Sequence, residues 1–321
     1  MGVTLAVALL SACGAPREVP SVVVADAAAR MASLKSLRYD LTGTMKVHSV
    51  IPGLTGSGSA FAAILPTDLS TKFDGSAASV LPDRTSIDMH QTAGDTTTRV
   101  RAIMIGDTYY FTNPTTGAWL KTSLQGTGLP MTGSSSLNQF DPSNTNQFLK
   151  DARSLTDLGD GQLDGVRVHH YRLFLDPEKL KAVLQSSGKT SLLSGITSGL
   201  MIKSYRIEEW VGIDDHLLRQ TQMDYAMSLV APSPTARPAG CVPVKLLQTP
   251  PPGAIACPPD LSGAAYDTSA SMRMKFHDFN VKLTIDAPPN AQDVGSFGNM
   301  FGSNSSSSAG VLGVPTPKAT R

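Results

Sequence analysis

Apolar residues recur every three or four positions near the start of the chain and then alternate with polar residues over most of its length. From Arg38 onward the period is two, which is typical of strands with one buried face. The earlier spacing predicts a helix over 20–37, and it is carried by Val24, Ala28, Met31 and Leu34.

The alternating segments follow each other closely and are separated by turn residues. Asp164-Gly165 is the clearest of these turns, since this dipeptide favours a two-residue hairpin. Strands joined by such short connections pair antiparallel. The pattern predicts strands over 38–47, 71–80, 84–93, 96–105, 108–112, 118–122, 154–163, 166–175, 204–213 and 217–229, with closing strands in 270–285.

Helical segments interrupt the strands. We predict a second helix over 142–152, a third starting at Asp176, and a mobile helix or flap over 190–201. A sheet of about ten strands does not stay flat, and helices must cover one of its faces. The predicted fold is therefore α+β: a single, strongly curved antiparallel sheet, or half-barrel, with helices covering the concave face.

Four strand faces carry the candidate ligand-binding side chains. Methionine is prominent among them, and its flexible side chain suits a surface that adapts to different apolar partners. The same residues would equally suit a solid β core, and the pattern does not separate the two. The candidates are Tyr39, Leu41, Met45, Val47, Tyr171, Leu173, Met223, Tyr225, Met227, Met272, Met274 and Phe276.

The N-terminus has the layout of a bacterial lipoprotein signal peptide. A short apolar run ends in Ser11-Ala12-Cys13, small residues before a cysteine whose thiol would be acylated. The run is too short for a membrane span of about 20 residues. The basic residues that usually precede such a run are missing, which favours a translation start upstream of Met1. A chance cysteine in a hydrophobic start is the alternative.

This interpretation divides the chain and sets its compartment. Residues 1–12 are the signal peptide, 13–20 a lipidated tether, 21–294 the domain and 295–321 a disordered tail rich in Gly, Ser and Asn. We expect the protein on the extracytoplasmic face of the membrane, held there by the acyl group on Cys13.

Two further cysteines lie in a Pro-rich insertion over 230–268. In an oxidising compartment Cys241 and Cys257 are expected to form a disulfide, which would stabilise so short a loop by roughly 3 kcal/mol. A role near a cavity mouth or partner surface and a tolerated insertion without a role remain equal alternatives.

Catalytic and metal-binding patterns are not found in the sequence. It has no Gly-x-Ser-x-Gly elbow, phosphate-binding glycine loop or His-Glu-x-x-His. The adjacent His169 and His170 point to opposite faces of a strand and cannot share a metal. Glu208-Glu209 is interpreted as a solvated edge. Trp119 and Trp210 are interpreted as packing residues, with stacking on a sugar as the lesser alternative. With 27 basic and 26 acidic residues, no nucleic-acid partner is expected.

The order of motifs resembles the actinobacterial LppX/LprG-type lipoproteins, relatives of the LolA/LolB lipoprotein carriers. The resemblance covers about 22–291. The motifs are Leu37-Arg38-Tyr39-Asp40-Leu41-Thr42-Gly43, Ile103-Met104-Ile105-Gly106-Asp107-Thr108-Tyr109-Tyr110, Gly117-Ala118-Trp119-Leu120-Lys121, Leu163-Asp164-Gly165-Val166, Glu208-Glu209-Trp210-Val211, Phe276-His277-Asp278-Phe279-Asn280 and Ala287-Pro288-Pro289.

This resemblance implies a half-barrel sheet with a hydrophobic cavity, no cofactor and no catalytic residues. The expected ligand is an acylated lipid or glycolipid, bound for transport or presentation across the envelope, with an envelope transporter as a candidate partner. A non-catalytic envelope sensor or protein-interaction module on the same scaffold is the alternative.

Overall fold

A computed structural model describes residues 18–50, 68–123, 152–187, 199–230 and 265–296. Within these ranges the chain forms two helices, α1 (Pro20–Ser33) and α2 (Pro177–Ser187). The strands are β1 (Ser36–Val50), β2 (Asp68–Val80), β3 (Arg84–Ala93), β4 (Thr96–Ile105), β5 (Thr108–Thr112), β6 (Trp119–Ser123), β7 (Ala152–Leu163), β8 (Val166–Leu175), β9 (Leu200–Gly212), β10 (Leu218–Val230), β11 (Ala265–His277) and β12 (Gln292–Ser296).

All these strands belong to one sheet, in the order β12-β6-β5-β4-β3-β2-β1-β11-β10-β9-β8-β7. The predicted antiparallel pairing is confirmed between neighbours from β6 to β7. At the other edge it is wrong, because β12 pairs parallel to β6, with Gln292 opposite Leu120. The α+β class holds in the coarse sense of one large sheet with few helices, and the half-barrel curvature stays a prediction.

Turn chemistry explains why the hairpins form where the sequence predicts them. Asp164 and Gly165 adopt φ angles of 51° and 80° between β7 and β8. A two-residue hairpin needs this left-handed conformation, which Gly adopts without steric cost and Asp tolerates. The hairpin therefore fixes the β7–β8 register.

Helix α1 starts and ends without a side-chain cap. Pro20 occupies its first turn, where the missing N–H costs nothing. The helix ends at Ser33, and the extended ψ of 149° at its C-cap residue Leu34 leads into β1. The prediction of a helix to residue 37 is therefore wrong for its last residues.

Helix α2 begins where predicted, because the Asp176 carboxylate accepts hydrogen bonds from the N–H groups of Glu178 and Lys179 at 3.0 and 3.3 Å.

Both helices contribute to one core on one face of the sheet, which we call the inner face. The α1 side chains that point to the sheet are buried at spacings of three and four residues: Val23, Val24, Ala27, Ala28 and Met31. Leu180 of α2 joins the same core. The core also includes residues of β1, β8, β9, β10 and β11. Strand pairing and the alternation of side chains along each strand place these residues on the inner face as well.

Several predicted boundaries need correction. Ala152 is the first residue of β7, not the end of a helix, and the start of β9 at Leu200 takes the last residues of the predicted flap. Gly295 lies in β12, so the predicted disordered tail begins too early. The rest of the predicted helix over 142–151, most of the flap and the rest of the tail lie outside the described residues.

The insertion lies between two neighbouring antiparallel strands. Val230 pairs with Ala265, so β10 and β11 would otherwise form a direct hairpin. Val230 and 265–268 are strand residues, which makes the predicted bounds of 230–268 too wide. Cys13, Cys241 and Cys257 lie outside the described residues, and their modification and pairing stay predictions.

Candidate functional site

Half of the predicted ligand-contacting residues lie in the closed core under the helices. They belong to the same core cluster as the buried side chains of α1, and each of them is 8% exposed or less. Tyr39 and Met272 pack against the rim of the same core. As residues that contact a ligand, all of these stay predictions. The fully buried ones are Leu41, Tyr171, Leu173, Met223, Met274 and Phe276.

The inner face changes character towards its far end, where β1 and β10 end and β2 and β11 begin. There Met45, Val47, Tyr225 and Met227 are only partly buried. Two more residues join them: the partly buried Leu229, on the same face of β10, and Leu69, which is 36% exposed and was not expected from the sequence. We call these six residues the apolar patch.

Strand register makes the apolar patch continuous. Val47 is paired with Leu69 on β2 and with Thr268 on β11, and Thr268 is paired with Met227 on β10. The four side chains therefore form one row across four strands. Residues on directly opposite positions lie about 5 Å apart, so the row presents a surface that one apolar chain can contact along its length.

The next row, towards the core, contains a polar group without a partner. The hydroxyl Oγ1 of Thr71 is buried and makes no hydrogen bond with any residue that the structure describes, and Thr71 is only 2% exposed. Thr71 lies opposite Met45 on β1. Leaving a buried hydroxyl unpaired costs about 1–3 kcal/mol.

Two stacked tyrosines lie where the apolar patch meets the core. The rings of Tyr205 and Tyr225 are 6.0 Å apart and nearly parallel. The Tyr205 hydroxyl donates to the sulfur of Met223 at 3.7 Å. Burial, together with the neighbouring Tyr225, raises the pKa of Tyr205 to about 12. The phenol thus stays neutral, so the site holds an uncharged surface rather than a proton-transfer group.

The carboxylates at 208 and 209 are not a solvated edge, and that prediction is wrong. Glu208 and Glu209 are 8% and 3% exposed. Glu208 lies on the outer face, where its carboxylate accepts a hydrogen bond from Arg172 Nε at 2.8 Å. The other carboxylate oxygen lies 2.9 Å from His170 Nε2. Burial alone would raise the pKa of Glu208, but these two partners outweigh it and the pKa is lowered.

The two tryptophans pack as predicted. Trp210 stacks on the His170 ring at 4.2 Å. The guanidinium of Arg101 lies over the Trp119 ring at 5.2 Å.

His169 and His170 face opposite ways, since His169 contacts Asp160 at 2.8 Å on the inner side. In the described ranges, no three His, Cys, Asp or Glu side chains are grouped closely enough to hold a metal ion.

Neither described helix combines the length and hydrophobicity that a bilayer crossing needs. No family model matches the sequence, and no curated protein matches it.

The solved structures to which this chain is similar include the following three. LprF from Mycobacterium bovis has a TM-score of 0.38 and 9% identity, over 84% of this chain and 96% of that chain. The Mycobacterium tuberculosis lipoprotein LppX has a TM-score of 0.36 and 13% identity, over 84% of this chain and 100% of that chain. A putative outer membrane lipoprotein-sorting protein domain from Vibrio parahaemolyticus has a TM-score of 0.27 and 11% identity, over 81% of this chain and 92% of that chain. The structural neighbours include LprF and LppX, two of the LppX/LprG-type lipoproteins that the sequence motifs resemble.

Proposed function

We propose that the protein binds an acylated lipid or glycolipid on the apolar patch, without catalysis, for transport or presentation across the cell envelope. The observation that carries the proposal is the change along the inner face from closed core to partly exposed apolar side chains. A contiguous apolar surface on a folded protein usually marks a binding site.

The chemistry of the apolar patch suits an acyl chain. Each methylene that leaves water stabilises the complex by about 0.8 kcal/mol. Met45 and Met227 can adjust to chains of different shape because their side chains are flexible.

The proposal includes a membrane anchor on Cys13. Its support is the apolar run that ends in Ser11-Ala12-Cys13. Mass spectrometry of the N-terminal peptide from native membranes tests it: we expect a peptide that starts at an acylated Cys13. A peptide that keeps Met1, or an unmodified Cys13, contradicts the anchor but not the binding site.

A bulky side chain in the apolar patch tests the binding site. Met227→Trp places an indole in the row formed with Leu69 and Val47 and should block binding of a fluorescent fatty-acid probe. Thr44→Trp is the matched control, since Thr44 is exposed on the opposite face of β1. Equal probe binding by both variants, with unchanged thermal stability, would reject the apolar patch as the site.

A further inference from the structure

A cavity lies on the outer face of the sheet, at the same far end. Its volume is about 590 Å³, within the range of about 300–1,000 Å³ typical of small-molecule sites. Strand alternation places most of its polar side chains on the face opposite the apolar patch. The lining residues are Lys46, Val47, His48, Asp68, Leu69, Ser70, Lys203, Ala226, Met227, Asp267, Thr268 and Ser269.

Lys46 stands at the centre of this cavity between two hydroxyl groups. It is paired with Ser70 on β2 and with Ser269 on β11, and all three side chains are exposed. Within the described part of the chain, the Lys46 ammonium has no ion-pair partner. An unpaired ammonium flanked by two hydroxyls supplies the hydrogen-bond donors that a phosphate group requires.

A second lysine adds to the positive charge. Lys72 lies two residues from Ser70 on β2, diagonal to Lys46, and it too forms no ion pair among the described residues. Diagonal neighbours on paired strands are about 7–8 Å apart, a distance that lysine side chains can bridge to one anion.

The carboxylates of the cavity are each held by a partner but keep free acceptor capacity. Asp68 contacts His48 Nδ1 at 2.7 Å, and Asp267 accepts from Lys203 Nζ at 2.7 Å and from the Ser228 hydroxyl. The hydrogen bonds from Lys203 and Ser228 lower the pKa of Asp267, so it is ionised at neutral pH. A carboxylate has about four acceptor positions, which leaves room for the hydroxyls of a ligand.

We infer that this outer cavity binds a phosphorylated sugar. Lys46 holds the phosphate with the hydroxyls of Ser70 and Ser269, while Asp68 and Asp267 accept hydrogen bonds from sugar hydroxyls. The same chemistry is present in a free sugar phosphate and in the phosphorylated sugar headgroup of a glycolipid. The polar side chains that form the site point to the face opposite the apolar patch, although Val47, Leu69 and Met227 belong to the lining of the cavity as well as to the patch.

Calorimetric titration of the full chain with glucose 6-phosphate tests the free form of the ligand. We expect binding that Lys46→Ala weakens about tenfold or more, the loss of one charge-assisted interaction. Lys282→Ala is the matched control, because Lys282 is exposed, outside the cavity and without a described ion pair. We expect it to bind as the original chain does.

Vesicle flotation tests the headgroup form. Vesicles of phosphatidylcholine alone are compared with vesicles that also contain phosphatidylinositol, a lipid with a phosphorylated sugar-like headgroup. Binding to glucose 6-phosphate that depends on Lys46 supports the free ligand, and Lys46-dependent binding to phosphatidylinositol vesicles alone supports the headgroup. No binding in either assay, or equal losses in Lys46→Ala and Lys282→Ala, overturns the inference.

The fatty-acid probe separates this inference from the proposed function. Lys46→Ala should bind the probe normally, and Met45→Trp, a change in the apolar patch at a residue outside the cavity lining, should still bind glucose 6-phosphate. Loss of probe binding in Met227→Trp with no sugar-phosphate binding in the unaltered chain would reject the outer cavity alone.

Discussion

Two methionines on the same strand allow a direct test of the division between closed core and apolar patch. Met223 and Met227 lie on the same face of β10, four residues apart, or about 13 Å along the strand. Met223 is 3% exposed and belongs to the core, whereas Met227 is only partly buried.

Truncation to alanine removes the same three groups at both positions, so the difference reports the surroundings. At Met223 the lost transfer free energy is about 2 kcal/mol, from three groups at about 0.8 kcal/mol each. The cavity left behind and the lost contact with the Tyr205 hydroxyl bring the expected cost to about 3 kcal/mol. At Met227 part of the side chain is already in contact with water, and we expect about 1 kcal/mol or less.

Urea unfolding of the lipid-free protein measures both free energies of unfolding, provided that the slope with denaturant is unchanged. The order reverses in the fatty-acid binding assay, where Met227→Ala should weaken binding and Met223→Ala should not. Equal losses of stability at both positions would refute the reasoning, because the far end of the inner face would then be closed core as well.

Three further experiments test other features of the protein. Glu208→Gln should lower the free energy of unfolding near neutral pH and flatten its fall in acid, measured by urea unfolding across pH. The pKa of Glu208 is lowered in the folded state. The Glu208 carboxylate therefore contributes fully to the free energy of unfolding above the unfolded pKa of about 4.3, and this contribution is lost as the pH falls through the folded pKa. Parallel curves of unfolding free energy against pH for the two proteins would contradict this. Peptide mapping without reductant should recover Cys241 and Cys257 in one linked species, and free thiols at both positions in protein from the native envelope would exclude the bridge. Deleting Pro232–Leu261 should reduce lipid loading if the insertion serves the site, whereas unchanged loading leaves a tolerated insertion without a role.

Local chemistry was enough to predict most of the sheet. The bounds of β3, β4, β5 and β8 match the prediction, because turn residues close each hairpin next to an alternating segment. The end of α1 was missed because Leu34 and Leu37 continue the helical spacing, although the chain has already turned into β1. Hydrophobic spacing alone does not distinguish a last helical residue from the first buried residue of the next strand.

Interactions between distant segments could not be predicted. The strand β12 has no alternating pattern and exists through its pairing with β6. Glu208 is buried because Arg172 and His170 lie on the neighbouring strand, which only the β8–β9 register reveals.

The candidate site was predicted in part for the same reason. Alternation correctly placed Met223 and Met227 on one face of one strand. It could not show that helix α1 closes that face over Met223 and leaves Met227 partly exposed, since this depends on where the helix crosses the sheet.

Native mass spectrometry of the full chain, extracted gently from its own membranes, tests the central claim most directly. We expect a population heavier than the protein by the mass of one acylated lipid or glycolipid, which organic extraction releases and which Met227→Trp lacks while Thr44→Trp retains it. A single lipid-free mass for the unaltered chain, or the same bound lipid in Met227→Trp, would contradict binding at the apolar patch.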